Sequence, residues 1–289
     1  MTYFSFDKSA LALMPKRERN SNKGSFGRVL CVCGSEGMAG AAYLSAKAAY
    51  RTGAGLVEIL THRVNLPVIQ TLIPEAVVSV YDEAYDKNKI IASLERADCI
   101  VIGCGLGQSI LSRTLLSDVL RGRREGVPLI IDADGLNLLA KNPSLWKYAK
   151  GGVVTPHALE MSRITGIGAE EILANKAEIA REFAEKHSLI CVLKDSETVV
   201  SDGGEDIYIN KRGNSGMATG GSGDVLSGII GGILCQSVKK GGESDSFRLA
   251  ALGVYIHSVA GDVAAADLGE YSVMAGDIAD RISEVLKRI

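Results

Sequence analysis

From residue 28 onward, short and largely apolar runs alternate with stretches of helical spacing. The runs are RVLCVC (28–33), LVEIL (56–60), AVVSV (76–80), CIVIG (99–103), PLIID (128–132), GVVT (152–155) and ICVLK (190–194). A strand with one wet face alternates polar and apolar residues. These runs hardly do, so each must be covered on both sides. The covering segments are the helical stretches at 39–53, 65–72, 86–96, 109–121, 134–141 and 169–187. The pattern predicts an α/β fold: a mostly parallel central sheet inside a three-layer α/β/α sandwich.

TVVSDGGEDIYIN (198–210) departs from that rhythm. Two strand-like pieces flank Asp202, Gly203 and Gly204, which reads as a hairpin. Two long helices are expected near the C-terminus, at about 246–266 and 273–288. With no repeat, low-complexity tract or long linker, the whole chain, 1–289, reads as one domain.

Composition narrows the function classes. Hydrophobic residues make up 46% and charged residues 23%, enough for a large core. A formal net charge of -2 offers no basic field for nucleic acid or an anionic membrane, and 5% aromatics offer little for base stacking. The first twenty residues lack a basic start followed by an apolar core, so no signal peptide is expected. No membrane span is expected either. The six cysteines (Cys31, Cys33, Cys99, Cys104, Cys191 and Cys235) include no CxxC pair. They are expected to be buried free thiols of a cytoplasmic protein.

Sheets of this class bind ligands beyond the carboxyl ends of their strands. Gly34-Ser35, residues 103–107, Asp132-Ala133-Asp134, Thr155-Pro156-His157 and Lys194 all fall there. The most informative stretch is NSGMATGGSGDVLSGIIGG (214–232). Gly220, Gly221, Ser222 and Gly223 let backbone N–H groups approach a ligand, and the following apolar residues have helical spacing. A glycine loop feeding a helix is an anion site, although no GxxxxGK[ST] motif is present. Asp224, at the junction, reads either as a helix cap or as a base beside a phosphate.

The other motifs also carry two readings each. GCGLG (103–107) is GxGxG rather than GxGxxG, so it makes a poor dinucleotide fingerprint but a good close-approach turn. Asp132, Asp134 and Asn137 fit Mg²⁺ with nucleotide phosphates, or a turn followed by a cap. His157 is a ligand contact or a structural residue; His62, His187 and His257 read as surface or packing residues. Lys194 ends an apolar strand, where its charge needs solvent or an anion.

Together, KGSFGRVLCVCGS, GMAGAAYLSAKAAYRTGAGLV, VIGCGLG, LIIDADGLNLL, VVTPHALEMSRITG and GNSGMATGGSGDVLSGIIGGIL resemble the ADP/ATP-dependent NAD(P)H-hydrate dehydratases of the ribokinase-like superfamily. The resemblance covers nearly the whole chain. It implies repair of hydrated nicotinamide cofactors: the S epimers of NADHX and NADPHX lose water at the expense of ADP or ATP, with Mg²⁺ expected. It implies Asp224 as catalytic base and substrate contact, with Ala41, Gly105 and His157 beside the substrate and Asn137 lining the site. It implies nucleotide contacts from Lys194, Asp195, Ser196, Glu197, Thr198 and Gly223, with Gly221 in the same loop. It further implies a homotetramer and a separate NAD(P)H-hydrate epimerase as functional partner, no fused epimerase domain being expected.

Four positions depart from the family pattern. Asp195 follows Lys194 where glycine is usual. Cys104, Ala158 and Ser215 each replace a common proline, which removes backbone stiffness rather than chemistry. Two rival readings share the pocket: a kinase for a vitamin-precursor alcohol, and a nucleotide-binding sensor without activity.

Overall fold

The structure is a computed structural model that describes residues 1–241 and 245–287. Its strands are β1 (Thr2–Phe4), β2 (Arg28–Val32), β3 (Leu56–His62), β4 (Val77–Tyr81), β5 (Cys99–Ile102), β6 (Leu129–Ile131), β7 (Val153–Val154), β8 (Ile190–Leu193), β9 (Val199–Ser201) and β10 (Asp206–Ile209). They form one ten-stranded sheet in the order β1-β10-β9-β8-β7-β6-β5-β2-β3-β4. All neighbours run parallel except around β9, which is antiparallel to both β8 and β10. The expected hairpin at 198–210 is therefore present.

The helices are α1 (Ala39–Thr52), α2 (Leu66–Leu72), α3 (Lys87–Arg96), α4 (Ile110–Gly122), α5 (Asp134–Lys141), α6 (Ala158–Thr165), α7 (Ala169–Ala174), α8 (Lys176–His187), α9 (Ser222–Lys240), α10 (Ser246–Leu268) and α11 (Ala275–Leu286). Successive strand residues face opposite layers. Val29, Cys31, Ile59 and Val101 pack with α1, α9, α10 and α11. Leu30, Val32, Leu60, Ile100 and Ile102 pack with α3, α4, α5 and α8. That two-sided burial is why the strands read as unbroken apolar runs. All six cysteines are buried and free.

Three elements differ from the sequence expectation. The helix expected at 169–187 breaks at Asn175 (φ -128°, ψ 36°), whose side-chain amide donates to the Glu171 carbonyl and competes with the helical ladder. α6 follows Pro156-His157, which read as a strand-end motif rather than a helix start. β1 is three residues long, too short to show a period, and pairs with β10 at the sheet edge. α11 ends at Leu286; residue 288 of the expected last helix lies outside the described residues. α10 alone among the described helices has the length and apolarity of a membrane span, and 78% of that window is buried in the fold.

α9 is clamped at both sides by glycine. A Cβ on Gly228 would sit 2.2 Å from the Ser45 carbonyl oxygen of α1, and one on Gly232 would sit 2.8 Å from that of Ala49. A Cβ on Gly231 would meet Val101 of β5 at 2.7 Å. These glycines give α9 its close approach to both α1 and the sheet.

Candidate active site

β2 lies between β3 and β5, so the strand order reverses there and a crevice opens beyond the carboxyl ends. The turn after β5 forms one wall. Gly103 (φ 120°) lies so close to the Asp132 backbone that a Cβ would fall 2.0 Å from its carbonyl oxygen. Gly105 (φ 60°) sits against α1, where a Cβ would come within 2.8 Å of the Ala41 Cβ. Ala41 and Gly105 thus meet on this wall.

The turn after β6 supplies the acids. Ala133 adopts φ 47°, ψ -116°, a sparsely populated conformation for a residue with a side chain. It sends its two acidic neighbours to different partners. The Asp134 carboxylate accepts from the Gly107 amide at 2.8 Å and from the Gln108 side chain at 3.2 Å, pinning the glycine turn. Asp132 is 1% exposed. Its Oδ1 accepts from Lys194 Nζ at 2.7 Å and its Oδ2 from the Ser227 hydroxyl at 2.9 Å. The Cys104 thiol lies 3.9 Å from the same Oδ2.

Burial would push the Asp132 carboxyl up. The charge and hydrogen bond of Lys194, with help from Thr155 and Ser227, override it and hold the group below its ordinary value. Burial works against the Lys194 charge in turn, but Asp132 and Glu160 hold the ammonium above its ordinary value. The buried Glu160 carboxylate is 3.7 Å from Lys194 Nζ. The lysine charge has therefore found carboxylates rather than solvent.

Asp224 is the third residue of α9, not its cap. The capping position is Gly221 (φ 92°), and no side chain caps the helix end. The Asp224 carboxyl is pushed up to about 6, first by burial and then by the Asp132 charge, against the Cys104 thiol bond and Lys194. The Cys104, Asp132 and Asp224 ligand atoms lie within 4.8 Å of one another. Gly223 completes the contact: a Cβ there would be 3.4 Å from Lys194 Nζ and 3.5 Å from Asp132 Oδ2. The first turn of α9 thus faces the lysine and both acids; its Ser222 amide donates to the Thr219 carbonyl, and helix geometry leaves the next N–H groups without an intrahelical partner, available to an anion.

His157 caps α6. Its Nδ1 accepts from the Leu159 and Glu160 amides at 3.1 and 3.3 Å, and the Glu160 carboxylate accepts from the His157 amide at 2.8 Å. This is a capping box with histidine in the usual serine or threonine place. The bonds assign the proton to Nε2. Burial lowers the histidine's proton affinity despite Glu160 beside it. A backbone bridge joins His157 to Lys194.

The structure thus gathers Asp224, Gly221, Gly223, Lys194 and His157 around Asp132, with Ala41 and Gly105 on the adjoining wall. The 194–198 turn lies next to them. Asp195 is paired with Lys176 of α8 at 2.7 Å, which compensates the extra carboxylate. The Thr198 hydroxyl donates to the Asp195 carbonyl at 3.0 Å and closes the turn, leaving Ser196 and Glu197 exposed. Asn137 belongs elsewhere. Its side-chain oxygen accepts from Arg163 at 3.1 Å, and it lines a lateral cleft between α5 and α6.

Sequence reading missed four participants. Cys104 was legible only as a member of the GCGLG turn, and Ser227 carries no motif of its own. Glu160 was legible only as the last member of a His-x-x-Glu capping box. His257, read as a packing residue, is buried, and its Nε2 lies 3.2 Å from the Ser222 hydroxyl at the start of α9. Burial lowers it to about 4, so it is neutral.

The residues do not fit a dedicated magnesium cage. Mg²⁺ takes hard oxygen ligands in octahedral geometry. Here one member is a thiol held protonated, and both Asp132 oxygens are already engaged.

The sequence profile of the NAD(P)H-hydrate dehydratases matches residues 29–284. The chain belongs to the NAD(P)H-hydrate dehydratase family. Within this family, an ADP-dependent (S)-NAD(P)H-hydrate dehydratase of Listeria monocytogenes is 35% identical, over 97% of this chain and 95% of its own. A bifunctional NAD(P)H-hydrate repair enzyme of Coxiella burnetii is 38% identical over 94% of this chain. The chain spans about half, 52%, of that longer relative. The ADP/ATP-dependent NAD(P)H-hydrate dehydratase of Bacillus subtilis, crystallised with ATP and Mg²⁺, superposes with a TM-score of 0.83 at 29% identity, covering 98% of this chain and 97% of its own. The dehydratase fold is the expected ribokinase-like three-layer sandwich.

Proposed function

We propose that the protein dehydrates (S)-NADHX and (S)-NADPHX to NADH and NADPH, consuming ADP or ATP and releasing AMP or ADP with phosphate. The observation that carries this reading is the Asp224 carboxyl, pushed up to about 6 at the glycine-rich start of α9 and set beside Asp132 and Lys194. A base so poised accepts a proton near neutral pH. The N–H groups that the helix start leaves without an intrahelical partner favour the charge of a transferring phosphoryl group.

In this reading Asp224 takes the proton of the ring hydroxyl as that oxygen attacks the terminal phosphorus and the bond to AMP or ADP breaks. Hydroxide leaves poorly; phosphate leaves well. The ring nitrogen lone pair expels phosphate, and loss of a proton from the neighbouring ring carbon restores the dihydronicotinamide. Ala41, Gly105 and His157 wall the ring. Lys194, Asp195, Ser196, Glu197 and Thr198, with Gly221 and Gly223, form the nucleotide side.

Asp132, Asp224 and Glu160 outnumber the single lysine among them, so a polyphosphate entering the site needs its own counter-charge. That supports Mg²⁺ arriving on the nucleotide. The buried free thiols support a reducing cytoplasmic setting. The bifunctional relatives, about twice as long, support a separate epimerase as functional partner. A homotetramer is part of the same proposal, checked by light scattering.

The deciding experiment incubates the protein with NADHX and with ADP or ATP. The expected result is return of the dihydronicotinamide absorbance with stoichiometric phosphate. A stable phosphorylated alcohol formed from another substrate, with no NADH from NADHX, would mark a kinase instead.

A further inference from the structure

A lateral cleft of about 520 Å³ opens beside the site, lined by Gln108, Asn137, Ala140, Lys141 and Arg163. A smaller hollow of about 120 Å³ shares Gln108 and Lys141 and adds Arg113. The larger volume falls within the range of small-molecule sites. No acid lines either hollow, although the chain carries a net charge of -2.

Among the described residues, Lys141, Arg163 and Arg113 make no ion pair with an acid. The Lys141 ammonium donates to the Gln108 side-chain oxygen at 2.5 Å, and the Arg163 guanidinium donates to Asn137 at 3.1 Å. Neutral acceptors thus hold two long cations in place while leaving their charges uncompensated. The position also has a consequence. Arg163 lies on α6, six residues after His157, or about 9 Å along the helix axis. Gln108 follows Gly107, which Asp134 ties to the wall that carries Gly105. The cleft therefore begins where the ring wall ends, about a nucleoside's length from His157.

We propose that this cleft is the subsite for the phosphate groups of the dinucleotide substrate, with Arg163 and Lys141 as its specificity-determining cations. This rests on the proposed substrate. It goes further by assigning the end of the molecule that does not react. Asn137 gains a role: it lines the site through Arg163 rather than beside Asp224.

The test measures dissociation constants of NADPH and NADH, as stable products, by calorimetry on the wild type, Arg163→Gln, Lys141→Gln, Arg163→Lys and the surface control Lys150→Gln. NADPH affinity should fall at least ~10-fold in each glutamine variant, the scale of one charge-assisted hydrogen bond. Arg163→Lys should recover part of the loss, Lys150→Gln should match the wild type, and the KM for ADP should change little. An equal loss for NADH and NADPH assigns the cleft to the diphosphate; a loss confined to NADPH assigns it to the 2′-phosphate. Wild-type affinity for both dinucleotides in the glutamine variants overturns the subsite and leaves the dehydratase reading standing. A wild type that binds neither dinucleotide and returns no NADH from NADHX overturns both.

Discussion

The Lys194 ammonium reaches the Asp132 carboxylate at 2.7 Å across an intervening strand: Lys194 follows β8, Asp132 follows β6, and β7 runs between them. The pair ties three strand ends together at the floor of the site. Because it is buried, neither partner can be removed cheaply. Lys194→Met leaves a buried carboxylate without its cation and should lower stability by about 3–5 kcal/mol. Lys194→Met with Asp132→Asn should recover at least half of that loss. Urea unfolding of the two variants checks this; equal stability of single and double variants would count against a coupled pair.

Asp224→Asn should bind nucleotide nearly normally yet turn over at least ~10²-fold more slowly, the scale of a lost general base. Wild-type kcat/KM should also fall as pH drops through about 6, where the free carboxyl takes up its proton. A rate that holds level well below that pH, or an Asn variant with wild-type turnover, removes Asp224 from the base role.

Asp224 and His257 should oppose one another in stability. Folded Asp224 keeps its proton up to about 6, while an unfolded aspartate releases it near 3.8. Ionised Asp224 therefore costs about 3 kcal/mol at neutral pH, and the cost fades as pH falls through that window. His257 behaves oppositely: the unfolded chain takes up a proton near 6.5, the folded one only near 4. Its contribution is present at neutral pH and is lost, by about 3 kcal/mol, as pH falls from 6.5 to 4. Asp224→Asn should thus be more stable than wild type at pH 7, with the advantage vanishing toward pH 4. Unfolding free energies across that range test it. An advantage independent of pH would contradict the assignment of the raised carboxyl to Asp224.

The glycines of α9 predict a contrast between helices. Gly228→Ala places a Cβ 2.2 Å from a carbonyl of α1 and should destabilise by about 2 kcal/mol or more. Gly276→Ala, in the first turn of α11, meets nothing within 4 Å and should stabilise by about 0.4–1 kcal/mol. Thermal melts of the two variants decide between close packing and simple flexibility as the reason for glycine in α9.

Much of this arrangement was legible in the chain. The two-sided strands announced the sheet because their burial on both faces removes polar alternation. The strand-end rule places His157, Lys194 and Asp132 on one edge of that sheet. What stayed hidden was side-chain pairing between distant segments. The carboxylate that holds Lys194 could not be read, because Asp132 lies 62 residues away. Asn137 looked like a member of the acid cluster because it shares a motif with Asp132, yet α5 carries it round to Arg163. Asp224 read as a possible cap because helix starts attract aspartate; Gly221, free to take φ 92°, starts the helix three positions earlier than that reading allows.

The contact of α9 with α1 divides the pocket into a fixed and an adjustable half. Where two helices meet backbone to backbone, there is no rotamer to repack and no side chain to trade. The base at the head of α9 is thereby set by main-chain geometry alone. Substrate range can change only on the opposite side, along α5 and α6, where side chains rather than glycines make the wall. Laboratory evolution toward other hydrated cofactors should accumulate its substitutions there and spare α9.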